Sequence, residues 1–224
     1  DGKEGLNLAH DKQPDLIITD IMMPEMNGLE MCDLLKTNPE TSHIPILILT
    51  AKASEQDESK GYLNGVDDYI IKPFNIDFLS LKVNNILKSR KNLHQKFHKH
   101  NNIKVAELNI TSVDEEILNK AVRIVENNIS NPDFSIDEFC SEMNMSRTLL
   151  FNKLKALTDS SATEFIRIVR LKRAAELLKK RRYNITEVSE MVGFNSRSYF
   201  TRNFTKYYQC TPLEYRKKYE IQEY

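Results

Sequence analysis

PDLIITDIMMPEMNGLEMC, residues 14–32, runs an apolar stretch, Leu16-Ile17-Ile18-Thr19, straight into a carboxylate, Asp20. The pattern returns twice. Ile46-Leu47-Ile48-Leu49 leads into Thr50, and Tyr69-Ile70-Ile71 into Lys72-Pro73. Short continuous apolar runs bounded by turn residues read as buried strands of a parallel sheet. In such sheets ligands bind in the crevice at the carboxyl ends of the strands. A carboxylate, a hydroxyl and an ammonium are therefore expected at one rim, a set suited to phosphoryl chemistry.

The stretches PDLIITDIMMPEMNGLEMC (14–32), IPILILTAKA (44–53) and GVDDYIIKPF (65–74) resemble the receiver domain of two-component response regulators. The resemblance covers most of residues 1–88 and implies a doubly wound parallel sheet. It makes Asp20 the phosphoacceptor and gives Thr50 and Lys72 the phosphoryl oxygens. Pro24 and Gly28 would shape the loop after the acceptor, the Lys72–Pro73 bond would be cis, and Tyr69 would occupy an aromatic switch position. It also implies Mg²⁺, held by Asp20 and the backbone carbonyl of Met22. Receivers carry an acidic pair after their first strand. Residues 1–13 instead match the helix before the acceptor strand. We therefore expect a partial receiver, its first two strands and first helix missing, in a piece of a longer polypeptide. The Leu16–Thr19 strand would then be a bare edge, inviting self-association.

The net charge of zero sums unlike parts. Residues 1–87 hold seven Lys/Arg against fifteen Asp/Glu, and 88–113 hold six against one. Within 146–218 the count is seventeen against six. An acidic front and a basic rear suggest a regulatory module joined to a polyanion binder. Cys32, Cys140 and Cys210 have no paired spacing and read as small buried hydrophobes in a reducing cytoplasm. No apolar stretch approaches the 18 or so residues of a membrane helix. The expected setting is the cytoplasm, or the cytoplasmic end of an inner-membrane protein.

Residues 75–99 read as a helix capped by Asn75 or Asp77, turning basic after Lys88. His94 and His98, four apart on that helix with His100 nearby, allow a metal site. A solvated basic linker over 89–113 is the simpler reading. Ser112 with Glu115 suggests a capping box opening the second domain at about residue 114. His10 and His43 read as loop residues at the surface.

The rear domain, 114–224, reads as all-α with an internal repeat. Ile136-Asp137-Glu138-Phe139 is echoed by Ile185-Thr186-Glu187-Val188, and Ser146-Arg147-Thr148-Leu149-Leu150 by Ser196-Arg197-Ser198-Tyr199-Phe200. The offsets are 49 and 50 residues. Each copy is a short helix, a turn through Asn144 or Gly193, and a second helix capped by Ser146, or by Asn195 or Ser196. That is a helix-turn-helix, whose second helix enters the major groove. FSIDEFCSEMNMSRTLLFNKLKALT (134–158), ATEFIRIVRLKRAAELLKK (162–180) and ITEVSEMVGFNSRSYFTRNFTKYYQCTPLEYRKKY (185–219) resemble the AraC-type DNA-binding domain.

Helical spacing assigns the contacts. In the second recognition helix Phe200 and Phe204 face the core, leaving Arg197, Ser198, Thr201 and Arg202 outward. In the first, Leu150 and Leu154 are core, leaving Arg147, Thr148, Phe151 and Asn152. Arg pairs with guanine, Asn with adenine, and an apolar ring can touch a thymine methyl. Lys153, Lys155, Arg167, Arg173 and Lys206 are expected at phosphates.

Together these imply a sequence-specific DNA-binding transcription regulator of a phosphorelay, controlled at Asp20. The expected partners are double-stranded DNA, a histidine kinase or phosphotransfer domain, a second copy of the chain and RNA polymerase. Two alternatives stand: a phosphorylation-independent interaction module with AraC output, or the output segment of a hybrid sensor histidine kinase. The order receiver, basic linker, "ITS" tether and AraC domain resembles the carboxyl end of Bacteroides-type hybrid two-component proteins. The chain has no ATP-site motif, so it is not expected to be an enzyme itself.

Overall fold

The computed structural model describes residues 1–51, 65–99, 105, 108, 110–180 and 182–218. The chain divides into a front unit, Asp1–Lys96 with Ala106–Ile117, and a rear unit, Phe97–Val105 with Leu118–Tyr224.

In the front unit, strands β1 (Ile17–Asp20), β2 (Ile46–Thr50) and β3 (Asp68–Ile71) form a parallel sheet in the order β1-β2-β3. Helices α1 (Gly2–Lys12) and α2 (Gly28–Thr37) contribute to one apolar cluster, where Ala9, Met31, Cys32 and Leu35 meet Ile46 and Ile48. On the opposite side Leu47 and Ile70 meet Ile86, Leu79 and Val83 of α3 (Ile76–Lys99). Helices therefore clothe both faces of the sheet, as the three apolar runs imply. The central strand β2 is the most enclosed, with Ile46, Leu47 and Ile48 buried and Leu49 half-buried. Ile18 of β1 and Ile71 of β3 are 44% and 52% exposed, because each lies on a strand with one described neighbour.

Local signals end most elements where expected. Asn75 caps α3, its Oδ1 accepting from the Phe78 N–H at 2.7 Å. The helix α4 (Ser112–Asn127) is capped one residue earlier than the sequence suggests. It is Thr111 Oγ1 that accepts from the Asp114 N–H, at 3.2 Å. His10 lies within α1 rather than in a loop. The basic stretch after Lys88 is not merely a solvated linker: it continues α3, and Leu93 and Phe97 are buried. Of the expected linker, residues 100–104 (His100 included), 106, 107 and 109 lie outside the described residues, as does Tyr219.

The described rear unit is helical: the rest of α4, then α5 (Ile136–Met143), α6 (Arg147–Thr158), α7 (Ala162–Lys179), α8 (Ile185–Met191), α9 (Arg197–Tyr208) and α10 (Pro212–Lys218). Helix α7 buries Phe165, Ile168, Leu171, Ala174, Ala175 and Leu178, so most of its circumference lies in the core. The repeat is visible in backbone hydrogen bonds. Met145 N donates to Cys140 O and Asn144 N to Ser141 O; 49 residues on, Phe194 N donates to Ser189 O and Gly193 N to Glu190 O. Both first helices open on a capping box, Ser135 with Glu138 and Asn184 with Glu187. The turn residues Asn144 and Gly193 are left-handed, with φ of 57° and 70°.

Candidate functional site

The front site forms at the carboxyl rim of the sheet. Asp20 ends β1, Thr50 ends β2, and Lys72 follows β3 directly. The parallel register sets Asp20 beside Leu49 and Thr50 beside Ile71, and the Lys72 N–H donates to the Thr50 carbonyl at 2.7 Å. The Lys72 ammonium pairs with Asp20 Oδ2, while Asp20 Oδ1 accepts from the Met22 N–H at 3.3 Å. The Lys72 hydrogen bond is the largest cause holding the Asp20 carboxyl below the usual range, with the Met22 N–H assisting against partial desolvation. Asp20 is thus an anion at neutral pH, about a third exposed, as a nucleophile must be. Thr50 is buried at the rim, and the Lys72–Pro73 bond is cis. Tyr69, one strand position before Ile70, packs part-buried against the α1–α2 cluster.

The loop after Asp20 is shaped by backbone contacts. Gly28 N donates to Ile21 O at 3.0 Å, and a Cβ on Gly28 would fall 2.1 Å from the Asp20 carbonyl oxygen. Only glycine can start α2 so close to the acceptor. Asn27 caps α2 in a reciprocal box with Glu30.

Mg²⁺ takes an octahedral set of oxygens, commonly with more than one acidic or phosphate partner. Here Asp20 supplies one carboxylate, already paired with an ammonium. Among the described residues no three His, Cys, Asp or Glu side chains converge. These residues alone do not make a Mg²⁺ site.

The rear site is the outer face of α6 and α9. Phe200 and Phe204 are buried, as are Leu150 and Leu154, so the recognition helices are rotated as helical spacing requires. Arg197, Ser198, Arg202 and Lys206 are exposed and Thr201 half-buried on α9; on α6 Arg147, Thr148 and Phe151 are exposed and Asn152 half-buried. Arg147 reaches back to Asp137 of α5 at 2.5 Å, and the Arg202 guanidinium lies 5.4 Å from the Tyr199 ring. Two expected phosphate contacts, Lys153 and Arg167, need correction. Lys153 is fully buried, because its position falls on the Leu150–Leu154 side of α6. Arg167 is half-buried, pairing with Glu164 and with Asn203 Oδ1, the latter at 3.2 Å. Arg173 pairs with Glu176 at 2.7 Å.

Sequence reasoning missed Arg170. Its guanidinium donates to the Gly193 carbonyl at 3.0 Å and to the Asn131 carbonyl, fastening the second turn. A Cβ on Gly193 would sit 2.6 Å from Ile129 O and 3.0 Å from that guanidinium, so close approach and φ both demand glycine. Nothing in the local sequence marks Arg170, because its partners lie 23 and 39 residues away.

Residues 1–84 match the family model for the response regulator receiver domain, and residues 139–218 that for a helix-turn-helix domain. The chain joins a receiver domain to an AraC-type helix-turn-helix domain, and both are regulatory, non-catalytic modules. It is similar to histidine kinase P4 of Formosa agariphila, 44% identical over 221 residues, covering 99% of this chain and 16% of that protein. It is also similar to the phosphate regulon transcriptional regulatory protein PhoB of Rhizobium meliloti, 38% identical over 90 residues and covering 40% of each chain. The C-terminal domain of AraT, a response regulator from Geobacillus stearothermophilus, aligns at 28% identity with TM-score 0.43, covering 48% of this chain and 89% of that one. The chain thus spans well under half the length of the two relatives named. Among the described residues no helix is long and apolar enough to cross a membrane.

Proposed function

We propose that this chain is the output end of a two-component phosphorelay: a sequence-specific DNA-binding transcription regulator controlled by phosphorylation of Asp20. The observation that carries it is the Asp20–Lys72 pair at the sheet rim, in a chain that also bears two recognition helices. A histidine kinase or phosphotransfer domain is the donor. An Asp20 carboxylate oxygen attacks phosphorus, the donor's N–P bond breaks, and the imidazole keeps the bonding electrons and takes up a proton. Lys72 faces the charge that accumulates, and the Thr50 hydroxyl can donate to a phosphoryl oxygen. Arg147, Thr148, Phe151, Asn152, Arg197, Ser198, Thr201 and Arg202 read bases, with Lys206 on phosphate. Two copies pair through the face near Tyr69 and the first turns of α3, placing two AraC-type domains on adjacent half-sites, with RNA polymerase as the downstream partner. The Formosa relative, whose match takes in nearly the whole chain, favours a second reading: an output segment within a hybrid sensor histidine kinase.

The test is labelling with phosphoramidate, followed by borohydride reduction to map the acyl phosphate. With a single rim carboxylate, incorporation into the 224-residue chain is expected to be slow, confined to Asp20, and abolished by Asp20→Asn. Label that persists in Asp20→Asn overturns the assignment. Rapid Mg²⁺-dependent labelling overturns the one-carboxylate account of the metal.

A further inference from the structure

Phe97 and His98, in the last turn of α3, belong to the rear unit, and their contacts fall on three of its helices. The buried Phe97 ring stacks on Phe165 of α7 at 5.6 Å and 13°, and Phe165 stacks on Phe139 of α5 at 6.1 Å and 17°. Lys172, also on α7, donates to the Phe97 carbonyl and stands 4.8 Å from the centre of its ring. His98 Nε2 lies 2.9 Å from the carbonyl oxygen of Thr158, the last residue of α6. A carbonyl only accepts, so Nε2 carries the hydrogen. From α9 the Tyr207 hydroxyl donates to the His98 carbonyl at 2.7 Å, its ring 6.4 Å from the imidazole.

These two carbonyls are among the last four of α3, which have no partner in their own helix. A cation is the favoured cap at that end. A nearby polar residue or water could have capped them. Instead the first recognition helix, the second and the helix joining them each donate to, or accept from, one dipeptide. Burial of the Lys172 ammonium, which lowers its pKa to about 8, is a cost taken for that geometry. Each recognition helix packs more extensively on α7 than on the other. The dipeptide is therefore a direct bridge from α6 to α9.

We propose that Phe97 and His98 form a positioning clamp that fixes the two recognition helices relative to each other, so residues remote from the outer faces of α6 and α9 set the spacing of DNA segments the chain accepts. This rests on the DNA-binding reading. An inserted base pair rotates the second segment by roughly 35° about the duplex axis, since about 10–10.5 base pairs make one turn. A rigid pair of helices cannot follow that rotation, whereas a loosened pair can.

The test uses the 224-residue chain and a duplex recovered by the wild type from a random pool about 30 base pairs long, enough for two segments a turn apart. Footprinting locates the two contacted segments, and one base pair is then inserted between them. The wild type is expected to lose about tenfold or more in affinity, the scale of a mismatched base pair. His98→Ala and Tyr207→Phe should lose most of that discrimination, and His98→Gln, whose amide can still donate to Thr158, should regain it. Without DNA, amide exchange across 155–160 and 204–209 should rise together in His98→Ala and in Tyr207→Phe. Unchanged spacing discrimination in variants that melt like the wild type, or unchanged exchange at both segments, overturns the clamp. Recovery of no duplex by the wild type would instead refute DNA binding, and the exchange measurement would then decide the clamp alone.

Discussion

Two residues of α9, Phe204 and Arg202, separate folding from recognition on one helix. Phe204 is fully buried, its ring 5.6 Å from Phe200, 4.6 Å from Tyr208 and 5.4 Å from Tyr215. Truncating a buried Phe to Ala costs about 3–5 kcal/mol. Three aromatic partners, at about 0.5–1.5 kcal/mol each beyond area, put Phe204→Ala toward the upper end. Against a total of about 5–15 kcal/mol this is a large fraction of the stability of the unit. The chain has no Trp, and seven of its nine Tyr follow residue 182, so tyrosine fluorescence in urea reports the rear unit. Arg202→Ala, on the exposed face, should stay within about 0.5 kcal/mol of wild type in that assay. It should nevertheless lose about 1–3 kcal/mol on the selected duplex if it reads a base. A loss below about 1.5 kcal/mol for Phe204→Ala, under half the usual cost, would refute the packing described for α9. Equal affinity loss on selected and scrambled duplexes would make Arg202 a phosphate contact.

Gly28→Ala should push the start of α2 off the Asp20 carbonyl, costing about 1–3 kcal/mol as an overpacked site does and slowing phosphoramidate labelling; an unchanged melting temperature would show that the close approach is relieved without cost. Lys172 has its pKa lowered from 10.5 to about 8 by burial, so between those values the unfolded chain binds a proton that the folded chain does not. The stability of wild type relative to Lys172→Met should therefore rise from pH 8 to 10.5, by up to about 3 kcal/mol at about 1.4 kcal/mol per pH unit, and fall as pH drops through 8. Burial pushes the Tyr207 hydroxyl up, so that donor persists across the window. A flat difference between the two unfolding curves would mean that Lys172 is not desolvated.

The elements written in local code were legible from the chain itself. Apolar runs ending in Asp20, Thr50 and Lys72 sufficed for three parallel strands, because continuous apolar character is what burial on both faces selects. The rim then followed, since parallel strands bring their carboxyl ends together. Both helix-turn-helix copies were readable because caps and left-handed turns act within a few residues. Ser146, Ser196, Asn144 and Gly193 each do their work within one helical turn. Facing along α9 was right because Phe200 and Phe204 lie four residues apart, one turn of one face.

What the sequence alone could not decide depends on partners far along the chain. Lys153 and Arg167 look like solvent cations by residue type, yet packing turns one inward and gives the other to Asn203, 36 residues away. Arg170 fastens a turn through carbonyls that carry no side-chain signature. Residues 89–99 look like a basic spacer, but the contacts of Phe97 and His98 reach across 60 to 109 residues to α6, α7 and α9. Periodicity reports which face of an element is apolar. Which remote backbone that face meets is settled only when the chain closes on itself, and the tertiary structure alone records that choice.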